Sequence, residues 1–157
     1  MKKLFDRSPF HLALISGILV GGAFPPIPGI TAWFGFLPLI HVWQTQSPKE
    51  SARWSFLSAV IANFISLYWI GLNSGTTILP ALFSLIGSIL YLGIFWAGLG
   101  WIVSKVEIKR GNSLTIIPFL WATMEWTRSF GPLGFPWLNL ATTQTIFLPV
   151  IQMVDIT

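Results

Sequence analysis

"ILPALFSLIGSILYLGIFWAGLGWIV", Ile78 to Val103, contains no charged residue. A run this long and this apolar is able to cross a hydrocarbon core about 30 Å thick. "WSFLSAVIANFISLYWIGL", Trp54 to Leu72, is also uncharged and long enough. Across all 157 residues, 54% are hydrophobic and 9% charged, with nine Trp and thirteen Phe. A soluble domain has about 25% charged residues, so these charges are too few to cover a surface in water. The composition identifies an all-α, polytopic integral membrane protein.

Three further apolar segments flank these two, and a sixth begins near Ile146. The first runs from Pro9 to Phe24 and breaks at "PPIPG", Pro25 to Gly29; the second runs from Ile30 to Trp43. At ~1.5 Å per residue they reach about 24 and 21 Å. They fit either short tilted spans or a helical hairpin that enters and leaves on one side. The basic start and the small residues Gly21 and Ala23 resemble a signal peptide, but the prolines and the later apolar segments favour a retained membrane element. The fifth segment is apolar from Leu114 to Met124, then meets Glu125 and Arg128.

The net charge of +4 does not point to nucleic acid, because the basic residues form no face interleaved with aromatics. Eight of the nine Lys and Arg lie in three places: the N-terminus, the connection 44–53 and the connection 104–111. The intervening connections, "PPIPG" and "NSGTT" (Asn73 to Thr77), hold none. The positive-inside rule then puts the N-terminus in the cytoplasm and the segment 131–144 on the outer face. Small residues at four-residue spacing, such as Gly17 and Gly21 or Gly93 and Ala97, suit close helix packing. Trp43, Trp54, Trp69, Trp101 and Trp126 fall near span ends, as in an aromatic belt. No cysteine is present, which excludes disulfides and a thiol nucleophile within the chain. Isolated His11 and His41 make no metal site, and no cofactor is implied.

Glu125 and Arg128 are three apart and share a helix face, where they are able to pair. They fit either a salt bridge at the helix end or groups lining a polar cavity at membrane depth, with the arginine fork suited to a lipid phosphate. "GPLGFPWLNLATTQ", Gly131 to Gln144, follows. Its prolines and glycines interrupt helix, Phe135 and Trp137 add apolar surface, and Asn139 and Gln144 add hydrogen-bonding groups. Composition alone leaves an interfacial loop and a binding site both open.

"FLWATMEWTRSFGPLGFPWLNLATTQ", Phe119 to Gln144, with "LPVIQMVDIT" after it, resembles the N-terminal membrane region of apolipoprotein N-acyltransferases. "GILVGGAFPPIPGITAWFGFLPLI" and "SLYWI" (Ser66 to Ile70) extend the likeness over essentially the whole chain. The resemblance implies an enzyme of the bacterial inner membrane that takes an acyl chain from a phospholipid. Through a cysteine thioester it passes that chain to the N-terminal amine of a diacylglyceryl-cysteine lipoprotein. In the family, the nucleophile and its glutamate and lysine partners lie in a nitrilase-like domain after the membrane spans. The 157 residues contain no cysteine and end in an apolar run without a stop signal. They are therefore expected to be an incomplete N-terminal transmembrane domain, inert alone and with no catalytic residue of its own. The resemblance makes Phe135, Pro136 and Trp137 a wall for acyl chains, with Glu125, Arg128 and Gln144 as further substrate-binding candidates. Family members often carry a tyrosine–serine pair where this chain has Thr142 and Thr143. The expected partners are a phospholipid donor, a lipoprotein acceptor and membrane lipids. The competing class is a small non-catalytic polytopic protein, a transporter subunit or assembly factor, with Glu125 and Arg128 in a polar path. A third is another membrane acyl- or glycosyl-transfer enzyme that shares only general helical character.

Overall fold

The structure, a computed structural model, describes residues 7–24, 29–131, 133–147, 149 and 152. Among them every regular element is helical: α1 (Pro9–Gly21), α2 (Ala32–Gly35), α3 (Leu37–Thr45), α4 (Pro48–Leu67), α5 (Ile78–Arg110) and α6 (Ile117–Thr127). Single 3-10 turns cover Gly29–Thr31, Tyr68–Leu72 and Leu140–Gln144.

Local chemistry explains most of the boundaries. Ser47 caps α4, its side chain accepting from the Glu50 amide at 3.4 Å, and Pro48 occupies the first turn, where its missing N–H is harmless. α5 ends at Gly111, whose left-handed φ of 62° lets its amide return to the Glu107 carbonyl at 2.8 Å. Lys109 and Arg110 in that last turn favour the negative end of the helix dipole. The second apolar segment is not one helix. Pro38 lacks an amide donor and its ring crowds the carbonyl four residues back, so the chain breaks at Phe36 between α2 and α3.

Two of the expected connections are corrected. The connection 104–111 is helical through Arg110 and continues α5, making it 33 residues long, about 50 Å at ~1.5 Å per residue. Residues 48–53, expected between spans, form the first turns of α4. The prolines at 25–28 and most of the sixth segment lie outside the described residues.

Pro48–Leu72, with its terminal 3-10 turn, and Ile78–Arg110 are long and apolar enough to cross a membrane. Their apolar residues are not the core of a water-soluble fold. On α5, Phe83 is 68% and Ile94 65% exposed, and Leu79, Ile86 and Leu90 are also exposed. α1 lies against α4 through its glycines: a Cβ on Gly17 would stand 2.7 Å from the Ser58 carbonyl, and one on Gly21 2.8 Å from that of Ala62. The Gly17–Gly21 spacing thus does what small residues do at helix contacts. Ser84, Gly87 and Ser88 on α5 repeat this small-residue spacing, but a Cβ on Gly87 would meet nothing within 4 Å.

The main core joins Leu12 and Val20 of α1, Leu39 and Trp43 of α3, Trp96, Leu99 and Val103 of α5, and Met124 of α6. Trp43 departs from the belt expectation. It is 1% exposed and donates its indole N–H to Ser55 Oγ at 2.7 Å. A second cluster, Leu67, Leu85, Ile89 and Leu92, lies toward the other end of α4 and α5.

These contacts give the bundle two distinct ends. Ser104 Oγ donates to the Gln46 carbonyl at 2.7 Å, which joins the two basic connections. Phe10 at the start of α1 stacks edge-on to Trp54, with centroids 6.2 Å apart, so Arg7 lies at that end too. α1 rises from there until Ser66 Oγ reaches the Gly21 carbonyl at 3.3 Å, and α2 and α3 return. The uncharged connection 73–77 is at the far end.

Candidate functional site

α6 places Glu125 and Arg128 one turn apart, and their side chains meet at 3.7 Å. The pairing expected from their spacing is present. Arg128, only 2% exposed, turns away from solvent toward the loop that follows. Its Nη2 donates to the Leu138 carbonyl at 2.7 Å and to Asn139 Oδ1 at 3.2 Å. Glu125 Oε1 accepts the Leu140 amide at 2.6 Å and the Trp121 indole N–H at 2.9 Å. The Phe135 amide returns to the Arg128 carbonyl at 2.7 Å. Buried charges of this kind are tolerated only when paired and hydrogen-bonded, and here the loop backbone supplies the partners.

Between these anchors the loop displays its aromatic rings. Phe135 and Leu138 pack onto the second cluster, beside α4 and α5. Trp137 is 55% exposed and leans on Trp69 with ring centroids 5.4 Å apart, while the Phe135 ring lies 5.7 Å away, edge-on. Pro136 is exposed. Leu138 has a φ of 61°, the left-handed region that non-glycine residues rarely enter.

Beside Phe135 runs a groove of about 440 Å³, lined by Phe83, Ser84, Gly87, Ser88, Tyr91 and Leu133. A second cleft, of about 380 Å³, lies between α3 and α6 with Glu125 in its wall and Phe36, Ile40, Trp43 and Trp121 around it. Among the described residues no cluster of His, Asp or Glu could hold a metal ion.

Gln144 is separate from the other five candidates. Its Nε2 donates to the Gly29 carbonyl at 3.0 Å, and its Oε1 accepts the Trp33 indole N–H at 3.1 Å. The Gly29 backbone is pressed so closely on the Thr143 carbonyl that any side chain there would collide. The structure therefore brings Glu125 and Arg128 together with Phe135 and Trp137, and places Gln144 at the far end of the loop against the α1–α3 hairpin. Trp69, Trp121 and Trp33 complete the arrangement. Of these only Trp121, four residues before Glu125, had a local spacing that could have revealed it.

Residues 16–157 match the family model described as the apolipoprotein N-acyltransferase N-terminal domain. The chain is 37% identical, over 98% of its length, to the apolipoprotein N-acyltransferase of Geobacter metallireducens, of which it covers 31%. It is 29% identical over 85% of its length to that of Methylococcus capsulatus, covering 28%. With that of Chlorobaculum tepidum it shares 26% identity over 95% of its length, again covering 28%. It thus spans less than a third of the length of these curated relatives. With a match that runs from the first helix through the aromatic loop, the chain belongs to the apolipoprotein N-acyltransferase N-terminal domain family.

Proposed function

We infer that these residues form the membrane-embedded domain of an enzyme that transfers an acyl chain from a phospholipid to the N-terminal amine of a diacylglyceryl-cysteine lipoprotein. The observation that carries this reading is the loop 133–138. It sets Leu133 and Phe135 in the wall of a largely apolar groove on α5, with the half-exposed Trp137 5.7 Å from the Phe135 ring, within a chain that matches the family. Acyl chains are recognised by apolar walls rather than by charge, and an aromatic ring supplies much apolar contact at small entropic cost. Phe135, Pro136 and Trp137 line the path of the acyl chain, and the groove floored by Gly87 receives its tail.

In this reading the domain sits in a bacterial inner membrane with its basic end in the cytoplasm and the loop facing outward. Five apolar segments cross or enter the bilayer, the first two as the α1–α3 hairpin, and a sixth follows. The orientation is supported by the joining of the two basic connections at the end opposite the loop. The acyl group passes from its glycerol ester to a thiolate and then to the amine, so one difficult transfer becomes two easier ones. Since the chain has no cysteine, the thiolate belongs to another part of the enzyme, and residues 1–157 alone transfer nothing.

The complete product of the gene, in membranes with phospholipid and a synthetic diacylglyceryl-cysteine peptide, should add one acyl chain to the peptide's amine, read by mass spectrometry. Absence of that adduct from a well-expressed full-length product would sink the acyltransferase reading and leave a non-catalytic membrane protein.

A further inference from the structure

We propose that Glu125, Arg128 and Gln144 are positioning residues, which hold the segment 133–144 as a rigid shelf beneath Trp137 and do not themselves touch substrate. The proposal rests on the acyltransferase reading for its consequence, but its geometry stands apart from it.

All three are held by hydrogen bonds within the chain. Arg128 Nη2 serves Leu138 and Asn139, and Glu125 Oε1 serves Leu140, so three consecutive loop residues are tied to one ion pair. The Arg128 side chain is only 3% exposed, so protein encloses the guanidinium, and its buried Nε makes no hydrogen bond among the described residues. Both ends of the Gln144 amide are engaged by the 29–33 stretch. Leu138, between Trp137 and Asn139, is held in a left-handed conformation that its own side chain disfavours. Such a residue persists only where its surroundings over-determine it, and the Arg128 bond to its carbonyl is that constraint. The shelf is therefore fastened to α6 at 138–140 and to the hairpin at 143–144, and Trp137 rests between these points on Trp69.

A group that acts through Trp137 and a group that binds substrate independently give different double-mutant behaviour. The test uses the full-length protein in vesicles, with Arg128→Met, Gln144→Leu, Trp137→Ala and the Arg128→Met/Trp137→Ala pair. Limited chymotrypsin cleavage within 130–138, added from the loop's side and mapped by mass spectrometry, reads the shelf without reference to activity. Loss of a hydrogen bond to a charged group should raise that cleavage at least about tenfold in Arg128→Met. Gln144→Leu, which leaves no buried charge unpaired, should raise it as well. In the transfer assay the double variant should be no weaker than Trp137→Ala alone. Unchanged protection of the loop in both single variants, or losses that multiply in the double variant, would overturn the proposal. If Trp137→Ala transfers normally, the acyl-wall reading fails, and the cleavage rates still decide the shelf.

Discussion

The hydroxyl of Ser104 lies 2.7 Å from the carbonyl oxygen of Gln46, a bond across 58 residues that brings the basic start of α4 beside the basic end of α5. Single cysteines can report this arrangement directly, because residues 1–157 have none of their own and the thiol placed elsewhere in the enzyme can be replaced by alanine. Cysteines at Asn112 and at Lys49 should react with an impermeant maleimide from one side of the membrane, and those at Ser74 and Leu133 from the other. Labelling of Ser74 and Asn112 from the same side would contradict the two-ended bundle.

At the basic end, α5 approaches α4 through Gly100. A Cβ there would strike Ser55 Oγ and lie 2.8 Å from Trp43 Nε1 and 2.9 Å from the Ser51 carbonyl. Overpacking of a filled core costs about 1–3 kcal/mol, so Gly100→Ala should lower the thermal midpoint in detergent by several degrees. Gly98→Ala, two residues away and facing open space, should leave it unchanged or slightly raised. Equal midpoints for the two variants would refute the close approach.

Ser55→Ala removes the acceptor of the Trp43 indole without altering the fold's outline. The indole N–H, on a ring only 1% exposed, would then be buried and unpaired at a cost of about 1–3 kcal/mol. The check is the unfolding midpoint, together with a red or blue shift of Trp emission confined to the Trp43-containing protein when Trp43→Phe is the control.

Gly111 meets no neighbour where a Cβ would be, so only its φ of 62° resists substitution. Gly111→Ala should cost about 1–2 kcal/mol, the penalty for an L residue in the left-handed region, and Gly111→Asn less, since Asn visits that region more readily. A cost for Asn equal to that for Ala would mean that some unrecognised contact constrains the turn.

Gly87 floors the groove beside Phe135 and has nothing within 4 Å. Gly87→Phe should leave the stability of the full-length enzyme intact, because glycine is a poor helix residue and the new ring enters open space. Acyl transfer should fall at least about tenfold with long-chain donors, consistent with loss of more than about 1.4 kcal/mol of chain contact, and less with short-chain ones. Uniform activity across chain lengths would place the acyl tail elsewhere.

Much of this was legible locally. The uncharged runs mark α4 and α5, Ser47-Pro48 with Glu50 marks a helix start, Gly111 marks a stop, and the three-residue spacing of Glu125 and Arg128 anticipates their pairing. Each of these depends on residues within one or two turns of each other. Helices overrun their apolar stretches: residues 48–53 and 104–110 are polar enough to read as connections between spans, yet they extend helices whose hydrogen bonding is already nucleated.

That the chain is helical, apolar and divided into basic and uncharged connections follows from composition and short-range periodicity, which carry that information within single segments. That Trp43 is a core residue, that Trp137 rests on Trp69, and that Gln144 fastens the loop to Gly29 across 115 residues emerges only from the packing of segments far apart in the chain. A hydrogen bond or ring contact between distant segments leaves no periodic trace in either one. It exists only once packing has chosen which faces meet.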